Sequence, residues 1–244
     1  MSRHTKIVAT LGPASSTPEV LERMVQAGID VVRMNFSHGT ADDHKARADG
    51  IRAAAAKFGR TVGILGDLQG PKIRVGKFAD GKITLVVGEA FILDATCALG
   101  NQERVGLDYK DLPKDVVNGD ILLLDDGRLK LEVTGVRGPE IHTRVIVGGE
   151  LSNNKGINRQ GGGLTAPALT AKDMDDIKTA AQIGVDFVAV SFPKSAADMY
   201  MARQLLRAAG SSAVLIAKIE RVEAITNLAE ILDASDGIMV ARGD

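Results

Sequence analysis

Val214-Leu-Ile-Ala-Lys-Ile-Glu220 and Asp236-Gly-Ile-Met-Val-Ala-Arg-Gly-Asp244 are two apolar β-runs that end in charged residues. In a strand, residues two apart share a face, so Lys218 and Glu220 project together. An ammonium and a carboxylate at one strand end, beside Asp244 at the next, make a Mg²⁺-plus-ammonium site suited to an anionic, phosphate-bearing ligand. A buried Lys218–Glu220 ion pair with no chemical role is the alternative, because a lysine in so apolar a run must find a partner.

The same rhythm extends through both ends of the chain. Lys6–Leu11, Asp30–Asn35 and Thr61–Leu65 read as strands, the last closing on Gly66-Asp67. Between them, a helix opens at Thr17-Pro18-Glu19 and stops at Gly28, and a second runs from Asp42 to Phe58. An N-cap threonine with proline at the first helical position is a strong start signal. After Pro167 the alternation resumes. Helices are expected over Ala171–Ile183, Ser195–Ala209 and Val222–Leu232, and strands over Asp186–Ser191, Val214–Ile219 and Gly237–Ala241. Strands alternating with helices over short loops imply right-handed βαβ units and a parallel sheet.

Six such units fit a doubly wound sheet or an incomplete (β/α)₈ barrel. Polar residues stand at the C-terminal ends of nearly every strand, the first and last included. In a barrel those ends converge on one site, whereas in an open sheet the outer strands lie far from the crevice. The expected class is therefore α/β, of TIM-barrel type with six βα units.

The rhythm breaks once. From Pro71 to about Ala166 no convincing helix is present. Short β-runs (Ile83–Val87, Phe91–Asp94, Ile121–Leu124, Lys130–Thr134, Ile141–Val147) alternate with turns such as Asp80-Gly81, Asn118-Gly119 and Asp126-Gly127. This predicts a small all-β domain over residues 71–166, inserted between barrel segments 1–70 and 167–244, with a Gly/Asn-rich return linker from Asn153 to Ala166.

Composition narrows the function. The net charge of −1, 3% aromatic residues and absence of Trp disfavour nucleic acid and anionic membrane. Cys97 is the single cysteine, so no intrachain disulfide forms and a reducing, cytoplasmic setting is expected. No signal peptide or spanning segment is evident. Gly70–Lys77 has the wrong spacing for a P-loop, and Gly161-Gly-Gly163 is no dinucleotide fingerprint. His38 and His44 make a poor metal pair, and Arg242-Gly-Asp244 at a strand end is a coincidental adhesion tripeptide. Arg33, Asn35 and Ser37 share a face if their strand persists, offering a phosphate fork and neutral oxygens for a cation. Asp67 ends the third strand, and Lys72 and Arg74 lie two apart beyond it.

Thr5-Lys-Ile-Val-Ala-Thr-Leu-Gly-Pro-Ala-Ser15, Arg33-Met-Asn-Phe-Ser-His-Gly39, Gly66-Asp-Leu-Gln-Gly-Pro-Lys-Ile-Arg74, Leu124-Asp-Asp-Gly127, Ile216-Ala-Lys-Ile-Glu220 and Asp236 to Asp244 together resemble pyruvate kinase, in family order. The resemblance implies glycolytic phosphoryl transfer from phosphoenolpyruvate to ADP, giving pyruvate and ATP, with the β domain closing as a lid. It implies that Arg33 holds the transferring phosphoryl group and that Lys218 stabilises the transition state and the enolate oxygen. Glu220 and Asp244 would bind Mg²⁺, for which Mn²⁺ can substitute. Arg74 and Lys155 would meet nucleotide phosphates, with His38 near the nucleotide. Asn35, Ser37 and Asp67 would belong to a monovalent-cation site. Here Lys72 replaces a common glutamate and Leu68 a common threonine, so the Lys72 ammonium would supply the charge and K⁺ is not expected to be required.

In the family the barrel continues past Asp244 for two more βα units and a regulatory domain, and the full-length form is a homotetramer. The expectation is therefore an N-terminal part with open sheet edges and weak or no turnover of its own. The alternatives are a non-catalytic ligand-binding or assembly fragment, or another Mg²⁺-dependent barrel enzyme acting on phosphoenolpyruvate or pyruvate, such as an aldolase.

Overall fold

The computed structural model describes residues 4–241, which divide into two compact units. The first comprises the chain up to Pro71 with Ala168–Glu220 and Ala224–Ala241; the second comprises Lys72–Pro167 with Arg221–Glu223.

Six strands form the sheet of the first unit: β1 (Val8–Leu11), β2 (Val31–Asn35), β3 (Gly63–Asp67), β4 (Phe187–Val190), β5 (Val214–Ile219) and β6 (Gly237–Val240). Every neighbouring pair is parallel, and spatial order follows chain order from β1 to β6. That order decides the architecture. A doubly wound sheet reverses direction at a switch point, whereas a sheet wound one way throughout is the barrel pattern. The unit is an incomplete (β/α)₈-type barrel.

Its helices are α1 (Pro18–Gln26), α2 (Ala41–Lys57), α3 (Ala171–Ile183), α4 (Ala196–Ala208), α5 (Val222–Thr226) and α6 (Leu228–Ala234). Thr40 and Thr170 cap α2 and α3 in reciprocal boxes with Asp43 and Asp173, satisfying orphan N–H groups. Val32, Met34, Ile64, Val188, Leu215 and Ala217 pack in one core with helix residues such as Leu21, Ile51, Ile177 and Met199. The outer strands differ: Val8 on β1 and Ile238 and Val240 on β6 are exposed. Among the described residues neither strand has a second neighbour.

The second unit holds a six-stranded, mostly antiparallel sheet and a separate two-stranded one, around its own core of Phe91, Leu93, Leu122, Leu131 and Val145.

Three expectations need correction. The helix expected over Val222–Leu232 is two, broken at Asn227, whose side-chain amide donates to the Lys194 carbonyl at 2.8 Å. The inserted segment contains a single helical turn, Leu112–Asp115. The return linker contains a strand, Ile157–Arg159, paired with Leu122–Leu124. No helix among the described residues is long and apolar enough to cross a membrane.

Candidate functional site

Parallel register brings the polar strand ends of the first unit together. Asn35 on β2 lies opposite Asp67 on β3, and Asp67 opposite Ala189 on β4. Around that line stand Arg33 on β2, opposite Leu65 on β3, Asp67 itself, Lys218 and Glu220.

Asp67 is the centre, only 1% exposed. Its Oδ2 accepts from Arg33 Nε at 2.7 Å and also meets Arg33 Nη2; its Oδ1 lies 3.2 Å from Lys218 Nζ. Arg33 also donates from Nη1 to the Thr10 hydroxyl at 3.0 Å. The Lys218 ammonium, with its side chain 12% exposed, meets Glu220 Oε1 at 3.0 Å and donates to Ser191 Oγ at 2.8 Å. Two cations and two carboxylates therefore alternate through nearly buried space and cancel in charge, which is how buried ions are tolerated. Glu220 stands one residue past the end of β5. Its Oε2 accepts the Phe192 N–H at 3.1 Å. Phe192 makes that bond from φ +57, a left-handed conformation costly for a bulky residue and typical of functional sites.

The turn after β2 departs from expectation. The strand ends at Asn35, so Ser37 does not continue its face. Asn35 Oδ1 instead accepts the Ser37 N–H at 3.1 Å, a local Asx bond that competes with strand pairing. His38 follows, exposed, with its N–H on the Asn35 carbonyl. Beneath this turn Phe36 stacks on His44, ring centroids 4.3 Å apart, and the Phe36 carbonyl accepts from Lys172 Nζ. Burial holds the His44 imidazole below its usual value.

Lys72, Arg74 and Lys155 belong to the second unit. Arg74 Nη1 donates to the Asn154 carbonyl at 3.2 Å, and Lys155 Nζ pairs with Asp125 Oδ1 at 2.6 Å. The Lys72 side chain packs against the Gly156 backbone. Asp125 and Lys155 line a polar cavity of about 320 Å³ with Arg128, Glu150 and Ser152.

Asp244 lies outside the described residues. Among those described, no group of three or more His, Cys, Asp or Glu stands ready to hold a metal. Mg²⁺ is commonly held by only one or two carboxylates, the remaining ligands coming from water and substrate oxygens. Glu220, a hard oxygen donor at a strand end, fits that mode.

Three residues outside the expected site set also build it: Ser191, Phe192 and Gly70. Ser191 closes β4, 1% exposed, with its hydroxyl on the Leu68 carbonyl at 2.7 Å. Gly70 sits at φ +65, where a Cβ would lie 2.8 Å from the Ser191 Cβ, and its N–H bonds the buried Asp173 carboxylate. Only Ser191 carries a sequence signal, as a polar residue at a strand end like Asp67 and Glu220.

Comparison with known proteins agrees with this geometry. A family model described as pyruvate kinase, barrel domain, matches residues 2–244. A pyruvate kinase of Haemophilus influenzae is 60% identical over 247 residues, and pyruvate kinase II of Salmonella typhimurium 58%; each alignment covers 99% of this chain and 52% of the relative. A Mycobacterium tuberculosis pyruvate kinase is 46% identical, covering 100% and 52%. The chain thus spans about half the length of the curated relatives it matches. With a one-way parallel sheet, a charged cluster at its strand ends and these matches along its whole length, the chain belongs to the pyruvate kinase family.

Proposed function

We propose that this chain carries the phosphoryl-transfer half of a glycolytic pyruvate kinase, acting on phosphoenolpyruvate and ADP to give pyruvate and ATP. The observation that carries the reading is the Arg33–Asp67–Lys218–Glu220 cluster at the C-terminal ends of β2, β3 and β5. Phosphoryl transfer asks little covalent chemistry of a protein; positioning and charge neutralisation supply most of the catalysis. Arg33, held by Asp67 and Thr10, presents a preformed guanidinium to phosphoryl oxygens. Lys218 offers a fixed ammonium to the phosphoryl group and the enolate oxygen. When bound, Mg²⁺ supplies electrophilic charge to phosphate and carboxylate oxygens, and Glu220, with Asp244, would hold it. Arg74 and Lys155 would bind nucleotide phosphates, with His38 near the nucleotide.

K⁺ is not required on this reading. Asp67, the anionic member of the expected cation set, is already neutralised by Arg33 and Lys218. A rate, or a phosphoenolpyruvate affinity, that rises steeply when K⁺ replaces tetramethylammonium refutes this part.

A second reading, ligand binding without turnover, is favoured by the exposed apolar residues of β1 and β6. Calorimetric titration of phosphoenolpyruvate in Mg²⁺, beside a coupled pyruvate assay with ADP, separates the two. Binding that is lost in Lys218→Met supports the site. Turnover selects the first reading, and binding alone the second. No binding by the unaltered chain overturns both.

A further inference from the structure

Resting on that reading, we propose that Ser191 is a positioning residue, which aims the Lys218 ammonium while touching no substrate itself. An ammonium has three N–H donors. Without substrate, Lys218 meets Ser191 Oγ at 2.8 Å, Glu220 Oε1 at 3.0 Å and Asp67 Oδ1 at 3.2 Å, and a substrate oxygen would take the place of one of the two carboxylates while Ser191 stays. Ser191 is the nearest of the three and the only neutral one. Between two carboxylates alone, the Nζ of a flexible four-carbon stem can swing from one to the other; a third fixed acceptor turns the pair into a tripod.

The hydroxyl suits that task because its direction is settled. Its single proton goes to the Leu68 carbonyl at 2.7 Å rather than to Asp67 Oδ1 at 3.5 Å. Ser191 can therefore only accept from Lys218. Leu68 is itself anchored, buried and with its N–H on the Ala189 carbonyl at 3.0 Å. From the other side, Gly70 closes on Ser191 so tightly that no side chain fits. The next residue, Phe192, gives its N–H to Glu220. One dipeptide thus holds two legs of the site: Ser191 the lysine, and Phe192 the carboxylate that the lysine also meets.

The test uses the whole 244-residue chain, unaltered and as Ser191→Ala and Ser191→Thr. Phosphoenolpyruvate affinity in Mg²⁺ is read by calorimetry, and Mn²⁺ affinity by electron paramagnetic resonance. Loss of a hydrogen bond to a charged group predicts phosphoenolpyruvate binding weakened by about tenfold to a hundredfold in Ser191→Ala. Mn²⁺ binding should be unchanged, and Ser191→Thr, which keeps the hydroxyl, should recover most of the affinity. Equal phosphoenolpyruvate affinity in Ser191→Ala overturns the proposal, as does a parallel loss of Mn²⁺ binding. No binding by the unaltered chain overturns the functional reading and this role with it. A second measurement leaves Ser191 intact, so it stands even where the alanine variant fails to fold. In ¹⁵N-lysine-labelled protein, a tripod-held Lys218 should give a slowly exchanging ammonium signal that vanishes in Lys218→Arg. Absence of that signal refutes the tripod.

Discussion

Replacing Asp67 by asparagine keeps the shape of the side chain and removes the charge that two cations share. Lys218 would then keep the Glu220 carboxylate and Arg33 only the Thr10 hydroxyl, in a space that admits little water, and the asparagine amide would turn an N–H₂ toward one of the two cations. At 3.2 Å and an effective dielectric constant near 20, the Lys218–Asp67 attraction alone is about 5 kcal/mol before desolvation. Arg33 keeps about a quarter of its side-chain exposure, so its contribution is discounted for solvent screening. Breaking a buried pair by removing one partner typically costs about 3–5 kcal/mol, and Asp67→Asn should fall in that range. For a chain of this size the melting temperature should drop by about 6–20 °C. Urea unfolding followed by circular dichroism, with an unchanged m-value, measures it. The double variant Asp67→Asn/Lys218→Met restores charge balance, so it should be less destabilised than the sum of its parts. A single-variant loss below about 1 kcal/mol, or simple additivity, would show that the cluster is hydrated and that the pairing argument is wrong.

His44 gives a pH dependence with a definite sign. Burial, reinforced by the Arg47 and Lys172 charges, keeps its folded-state value below the ordinary 6.5. The unfolded chain therefore takes up the proton first, and stability that is full above pH 6.5 should decline as the pH falls below it. His44→Phe should flatten that slope in urea titrations; an unchanged slope assigns it elsewhere. Gly70→Ala should destabilise by about 1–3 kcal/mol through its left-handed φ, and by more because the new methyl meets the Ser191 Cβ and the Phe192 ring. A neutral result would mean that Ser191 and Gly70 separate readily in solution. Val240 on the outer strand is 80% exposed, so Val240→Lys should reduce self-association in light scattering without altering the circular dichroism spectrum. Unchanged association would clear this strand of responsibility.

The alternation of strands and helices was legible because apolar runs, threonine caps and glycine stops coincide at nearly every boundary of the first unit. Lys218 and Glu220 stood out because an ammonium in so apolar a run has few alternatives. Other features were hidden for physical reasons. Ile157–Arg159 is a strand only because Leu122–Leu124 lies beside it. The break at Asn227 depends on a carbonyl 33 residues away. Ser37 shares a face with Arg33 and Asn35 only if the strand persists, and the strand ends at Asn35, whose side chain bonds the Ser37 N–H. Ser191 reads from sequence only as the last residue of a strand, since its meaning comes from the β3–β4 register, across a sequence separation of 123 to Leu68.

The amide of Gly70, where the chain leaves the first unit, bonds the carboxylate of Asp173, just after it returns. β3 and β4 then pair directly, as though nothing intervened. The long excursion between them is thus fastened at its neck. A fastened loop is thermodynamically tolerant, because doubling its length adds only about 0.6 kcal/mol of closure cost. The inserted unit can therefore be enlarged, trimmed or exchanged over evolutionary time while the sheet beneath keeps its register. Variation between relatives should collect beyond the clasp, and the Gly70–Asp173 pair should be the last part of the junction to change.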